Sequence, residues 1–121
     1  MNNNNPLLQK SFQFSIEIID YTEKLSELKK YNMANQLFRS GTAVGDMVRE
    51  AQSPESLNDF VHKLKIAAKE AEESKYWLEL AERSVHYPSP SKERLLNTLT
   101  EVQKLLSSIL RTAKNKIENK L

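Results

Sequence analysis

An all-α, up-and-down four-helix bundle is the fold this sequence predicts, and three observations predict it. Two glycines and four prolines in 121 residues leave too little turn punctuation for a many-stranded protein. Apolar residues recur at steps of three and four along most of the chain, the spacing that keeps side chains on one helical stripe. Breaking signals cluster near Lys30 to Asn32, at Ser53-Pro54 and between His86 and Ser91, dividing the chain into four segments. Short connections between long helices favour antiparallel neighbours. The expected organisation is a disordered tail over 1–5 followed by a single domain over 6–121.

The first helix opens at Pro6, which suits the first helical position because the N–H it lacks would go unpaired there. Its stripe is Phe14, Ile18, Tyr21, Leu25 and Leu28; Leu8, Phe12, Ile16 and Ile19 widen it, as expected of a helix touching two neighbours. The second runs from about Met33 to Ala51, with Met33, Leu37, Gly41, Val44, Val48 and Ala51 on one face. Each of Gly41 and Gly45 costs about 1 kcal/mol against Ala in a helix. Their four-residue spacing therefore predicts close packing against another backbone or a bulky side chain.

Ser53-Pro54-Glu55 reads as the start of the third helix, with Ser as N-cap, Pro in the first turn and a carboxylate at the positive end of the dipole. This helix, to about Ser84, carries two apolar seams. Leu57, Phe60, Leu64, Ala67, Ala71, Ser74, Leu78, Ala81 and Val85 form the core seam. Ile66, Trp77 and Leu80 fall more than a third of a turn away at about 100° per residue, on a side that a monomer fills with charge, which predicts a subunit interface. Pro88 and Pro90 end the third helix. The fourth extends to the C-terminus on a stripe of Leu95, Leu99, Val102, Leu106, Ile109 and Ala113, with Leu96, Leu110 and Ile117 beside it.

Composition excludes several functions. Without cysteine there is no disulfide, thiolate nucleophile or thiolate metal site, which fits a cytoplasmic location. The polar start, Met1 to Asn5, lacks the pattern of a signal peptide, and no apolar run reaches membrane-spanning length, so no membrane partner is expected. A di-metal carboxylate bundle needs two acidic-x-x-His motifs, and only Asp59-x-x-His62 is present. No nucleophile elbow or phosphate loop occurs. The expectation is a non-enzyme without cofactor or metal.

Two groups of cations remain. Lys65, Lys69 and Arg83 lie with His62 and Tyr76 on a partly basic stripe of the third helix, interrupted by Glu72 and Glu79. Arg111, Lys114, Lys116 and Lys120 crowd the C-terminal segment against Glu118. Each has two readings. The first could be a solvated, salt-bridged face and the second a complement to the helix dipole, or both could be candidates for binding RNA or DNA. Net charge is only +2, so polyanion binding requires these cations to be segregated onto one surface, or repeated in an oligomer.

The wording of the middle of the chain adds a resemblance. Gln36-Leu37-Phe38-Arg39-Ser40-Gly41-Thr42-Ala43-Val44-Gly45, then Glu50-Ala51, Ser53, the run Asp59 to Ala67, Lys69-Glu70-Ala71 and Tyr76-Trp77-Leu78-Glu79-Leu80 together resemble the 23S ribosomal RNA intervening-sequence family of four-helix-bundle proteins. The resemblance implies a left-handed bundle, assembled as a homopentamer and encoded in bacteria, with RNA or DNA binding inferred from genomic setting and basic surface. The chain departs from the family pattern at Ala43 and Met47, where Ser and Asn are common, so a polar site built from those two side chains is lost or altered. The same fold is similar to the accessory protein of diversity-generating retroelements, which implies an alternative role as an adaptor for a protein partner such as a reverse transcriptase. A purely structural oligomer is the third reading.

Overall fold

The computed structural model describes residues 4–119. Four helices form: α1 Pro6–Glu27, α2 Tyr31–Glu50, α3 Leu57–Arg83 and α4 Leu95–Asn119, with a short 3-10 helix at Pro90–Glu93 ahead of α4. α1 packs on α2, α2 on α3, α3 on α4, and α4 closes back onto α1. Antiparallel neighbours in cyclic order make this an up-and-down four-helix bundle, as the sequence predicts. No strand is present among the described residues. None of the described helices is long and apolar enough to cross a membrane.

The core is the set of stripes read from the sequence. Phe14, Ile18, Tyr21 and Leu25 of α1 meet Leu37, Val44 and Val48 of α2, Leu64, Ala67, Ala71, Leu78 and Ala81 of α3, and Leu95, Leu99, Val102 and Leu106 of α4. Ser40, Ser74 and Tyr21 are among the polar side chains that enter this core. The Ser40 and Ser74 hydroxyls hydrogen-bond each other at 2.9 Å between α2 and α3. Tyr21 donates its hydroxyl to the Pro88 carbonyl at 2.7 Å, fastening the α3–α4 connection over the end of the bundle. Burial pushes the Tyr21 phenol far above its ordinary pKa, so it remains a donor at all ordinary pH.

Gly41 and Gly45 face α1. A Cβ on Gly41 would stand 2.6 Å from Ile18 Cγ1, and one on Gly45 would stand 2.8 Å from Ser15 Oγ and 3.3 Å from the Ser11 carbonyl oxygen. The two missing side chains let α1 and α2 approach along this line.

Several boundaries differ from the sequence reading. α3 begins at Leu57, not at Pro54: Ser56 is the N-cap, its hydroxyl accepting from Asp59 N at 3.0 Å, while the Asp59 carboxylate accepts from Glu55 N at 3.0 Å. Together these two bonds make a stronger start than Ser53-Pro54, because they satisfy two backbone donors at once. α3 also ends at Arg83, so Val85 leaves the core seam and stands 92% exposed. α2 starts two residues earlier than expected, at Tyr31. α1 stops without a glycine: Lys29 takes φ 62, and Lys30 N donates to Leu25 O at 2.8 Å, closing a left-handed cap that any residue adopts at some cost. Leu28, expected on the core stripe, is exposed just beyond that stop. Of the tail expected over 1–5, residues 1–3 lie outside the described residues, and Asn5 is the N-cap of α1, accepting from Leu8 N at 3.0 Å.

Candidate nucleic-acid interface

Two adjoining cavities run along the outer seam between α3 and α4. The larger, about 490 Å³, is lined by Ala68 and Glu72 of α3 and by Thr100, Gln103, Lys104, Ser107, Leu110 and Arg111 of α4. The next, about 340 Å³, continues it with Asn58, His62 and Lys65 of α3 and Lys114, Ile117 and Glu118 of α4. On each helix these residues step by three and four, so each set is one stripe and the two cavities are successive stretches of one groove. Gln103 Nε2 donates to Glu72 Oε1 at 3.0 Å across it and sets the register. In that register Lys65 stands opposite Leu110 and Arg111.

The groove has an apolar floor and basic edges. Leu106 is fully buried, while Ala68, Leu110 and Ile117 are half-buried. Small Ala68 opposite Ser107 opens the space, since neither side chain reaches across. Lys65, Lys104, Arg111 and Lys114 stand on the edges, all exposed. Lys69 continues the α3 edge one turn beyond Lys65. None of these five cations forms an ion pair among the described residues. The opposite behaviour marks α1, where Lys10 pairs with Glu101 of α4 at 2.8 Å and Lys24 pairs with Glu93 of the 3-10 helix. Fixed cations therefore serve the fold there, whereas those on the α3–α4 groove are left without a paired acid among the described residues.

The groove merges two clusters that the sequence reading kept apart. Lys65 and Lys69 come from the first, Arg111 and Lys114 from the second, and Lys104 was missed because it stands alone in the sequence, seven residues before Arg111. That spacing is itself two helical turns, the one signal that could have found it. Arg83 does not join them: it sits in the last turn of α3, where a cation complements the dipole. Lys116 lines a different cavity with Leu57, Phe60, Ile109 and Thr112, on the far side of α4. Lys120 lies outside the described residues. No group of three or more His, Asp or Glu is placed to hold a metal among the described residues. The Asp59 carboxylate is taken up by Glu55 N and by Lys63 Nζ at 3.3 Å, and the backbone bond foremost holds its pKa below the ordinary value.

The expected interface residues lie on the other side of α3, toward α2. Ile66 and Trp77 are half-buried and Leu80 is exposed. Arg39 of α2 pairs with Glu70 at 2.9 Å and with Glu73, spanning the seam between Ile66 and Trp77. Trp77 packs with Tyr76, ring centroids 5.2 Å apart, and beside Asn32, Met33, Gln36 and Tyr87. The chain itself thus supplies part of the cover for this ring. A second apolar face was misread in the sequence. α1 touches two neighbours as expected, α2 and α4, but Phe12, Ile16 and Ile19 are not covered by them; they stand exposed on the α2 side of α1, 44%, 46% and 37%, with Phe38 of α2 50% exposed. Arg49 lies over the Phe12 ring at 5.8 Å.

The model of the 23S rRNA-intervening sequence protein family matches residues 3–108. The chain belongs to this family. A crystal structure of a protein of unknown function from the S23 ribosomal protein family of Bacteroides thetaiotaomicron is similar, with 41% sequence identity and a TM-score of 0.80 over 86% of this chain and 97% of that one. No curated protein matches. The match to the intervening-sequence family ends at residue 108, so Arg111 and Lys114 lie outside the matched region while Lys65, Lys69 and Lys104 lie within it.

Proposed function

We propose that this protein is a non-enzymatic, cytoplasmic, homo-oligomeric member of the intervening-sequence family that binds RNA or DNA, weakly and with little sequence preference, along the α3–α4 groove. The observation that carries the reading is the meeting of Lys65, Lys104, Arg111 and Lys114 on one groove with no acid paired to any of them among the described residues. Phosphate neutralisation by four cations releases counterions, so affinity should fall with salt at a log–log slope of roughly −3 for a single strand. Repetition of the groove in an oligomer, a pentamer by the family resemblance, would multiply a weak contact. Fluorescence anisotropy with labelled nucleic acids at low and physiological salt tests this, comparing wild type with the quadruple charge reversal at Lys65, Lys104, Arg111 and Lys114. Binding that survives the reversal places the site elsewhere.

The exposed Phe12, Ile16, Ile19 and Phe38 favour a second reading, an adaptor that docks a protein partner. Absence of all nucleic-acid binding at low salt would make that the better account.

A further inference from the structure

The α3–α4 groove differs from a flat basic patch in having a floor, and the floor is apolar. Ala68 and Leu110 line its base above the buried Leu106, and Ile117 continues it past Lys114. Phosphates have no use for such a surface, whereas the faces of unpaired bases do. A duplex keeps its base faces stacked inside and offers the protein its backbone and the edges of its bases, not those faces. Its convex outline also cannot enter a trough whose walls are two helices with axes about 8–10 Å apart.

We infer that the groove takes single-stranded RNA or DNA, with base faces laid on the apolar floor and phosphates held by the Lys65, Lys104, Arg111 and Lys114 edges. From Thr100 to Glu118 the groove runs about 27 Å at the helical rise, enough for at most about eight stacked nucleotides. The hydroxyl of Thr100 and the carboxamides of Asn58 and Gln103 line the trough between floor and edges, where phosphate and sugar oxygens pass. Glu72 is engaged by Gln103, and Glu118 closes the far end, so acidic repulsion is confined to the two ends of the cationic stretch. No aromatic side chain lines either cavity. Base contact is therefore with aliphatic groups, and sequence preference stays slight.

The inference rests on the nucleic-acid reading above, and its test separates the two. The probes are labelled oligouridine and oligothymidine of about eight nucleotides and an RNA duplex of equal length, measured by anisotropy at low salt. Single strands should bind wild type at least tenfold more tightly than the duplex. Ser107→Gln, an exposed position where a longer neutral side chain fills the trough without altering charge, should remove most of that preference while leaving duplex binding and the melting temperature unchanged. Ala68→Leu, which fills the trough from the α3 side, should likewise remove the single-strand preference and guards against an effect peculiar to one position. Equal affinity for strand and duplex, or single-strand binding unaffected by both variants, overturns the inference while leaving a charge-dependent function intact. Loss of every contact with every probe overturns both.

Discussion

At the scale of single residues, the two glycines of α2 illustrate how an absent side chain determines packing. The Cβ of an alanine at position 41 would sit 2.6 Å from Ile18 Cγ1 and 2.9 Å from two further carbons of the same side chain. Ile18 is fully buried and has no free direction in which to move. Gly41→Ala should therefore destabilise the fold through overpacking, by about 1–3 kcal/mol, which outweighs the roughly 1 kcal/mol that alanine gains in helix propensity. Gly45→Ala meets the rotatable Ser15 hydroxyl and should cost less. Urea unfolding of the two variants checks the order, and equal stability of Gly41→Ala and wild type would show that α1 can shift to make room.

Among the elements, the α3–α4 connection is where polar bonding is densest. The Glu82 carboxylate accepts from Ser89 Oγ at 2.7 Å and from Ser91 Oγ at 2.7 Å, so the end of α3 holds the start of the 3-10 helix. These bonds, that from Ser89 first, hold the Glu82 pKa below its ordinary value of 4.5. A carboxylate depressed by folding contributes stability that is present above its unfolded pKa and lost as pH falls through the folded one. Glu82→Gln should accordingly melt below wild type at neutral pH, with the gap closing as pH drops below about 4.5. Thermal unfolding followed by circular dichroism at pH 7 and pH 3 reads this out, and a gap that persists in acid would assign it to packing. The helices themselves were legible in the sequence because their stripes are long. The start of α3 was not, because Ser53-Pro54 and Ser56-x-x-Asp59 both resemble a cap and only the second satisfies its donors. The end of α1 was equally hidden, since Lys29 fills a position usually marked by glycine. The groove was legible only in halves: periodicity places Lys65 on one stripe and Lys114 on another, but which stripes face each other depends on the register of α3 against α4. A similar limit applies to Phe12, Ile16 and Ile19, because a wide apolar stripe does not say which of its edges a neighbour will cover.

For the whole molecule, the four seams of the bundle have different characters. The α1–α4 seam is bridged by the Lys10–Glu101 ion pair and the α3–α4 seam is a basic trough, while apolar side chains emerge beside α2 on both of its flanks. An oligomer built through the α2 flanks would leave the trough open. Self-association should therefore survive charge reversal in the trough and fail when Trp77 or Leu80 is replaced by Glu, giving smaller particles of unchanged helicity. Sedimentation velocity at micromolar concentration measures this, and a monomeric wild type would refute the interface reading of Ile66, Trp77 and Leu80.

The C-terminal turns of α4 are the least anchored part of the trough. Beyond Ala113, Ile117 alone of the described residues retains partial burial. Opening of these turns exposes little apolar surface, so it requires far less free energy than global unfolding, and amide protons there should exchange with solvent through local fraying. Lys114 belongs to that stretch, which makes its position in the trough intermittent in the free protein. A ligand held by Lys114 would bind only the closed form and slow exchange at those amides before it slowed exchange anywhere in the core. Occupancy at this end would then be visible amide by amide, without any label on the ligand.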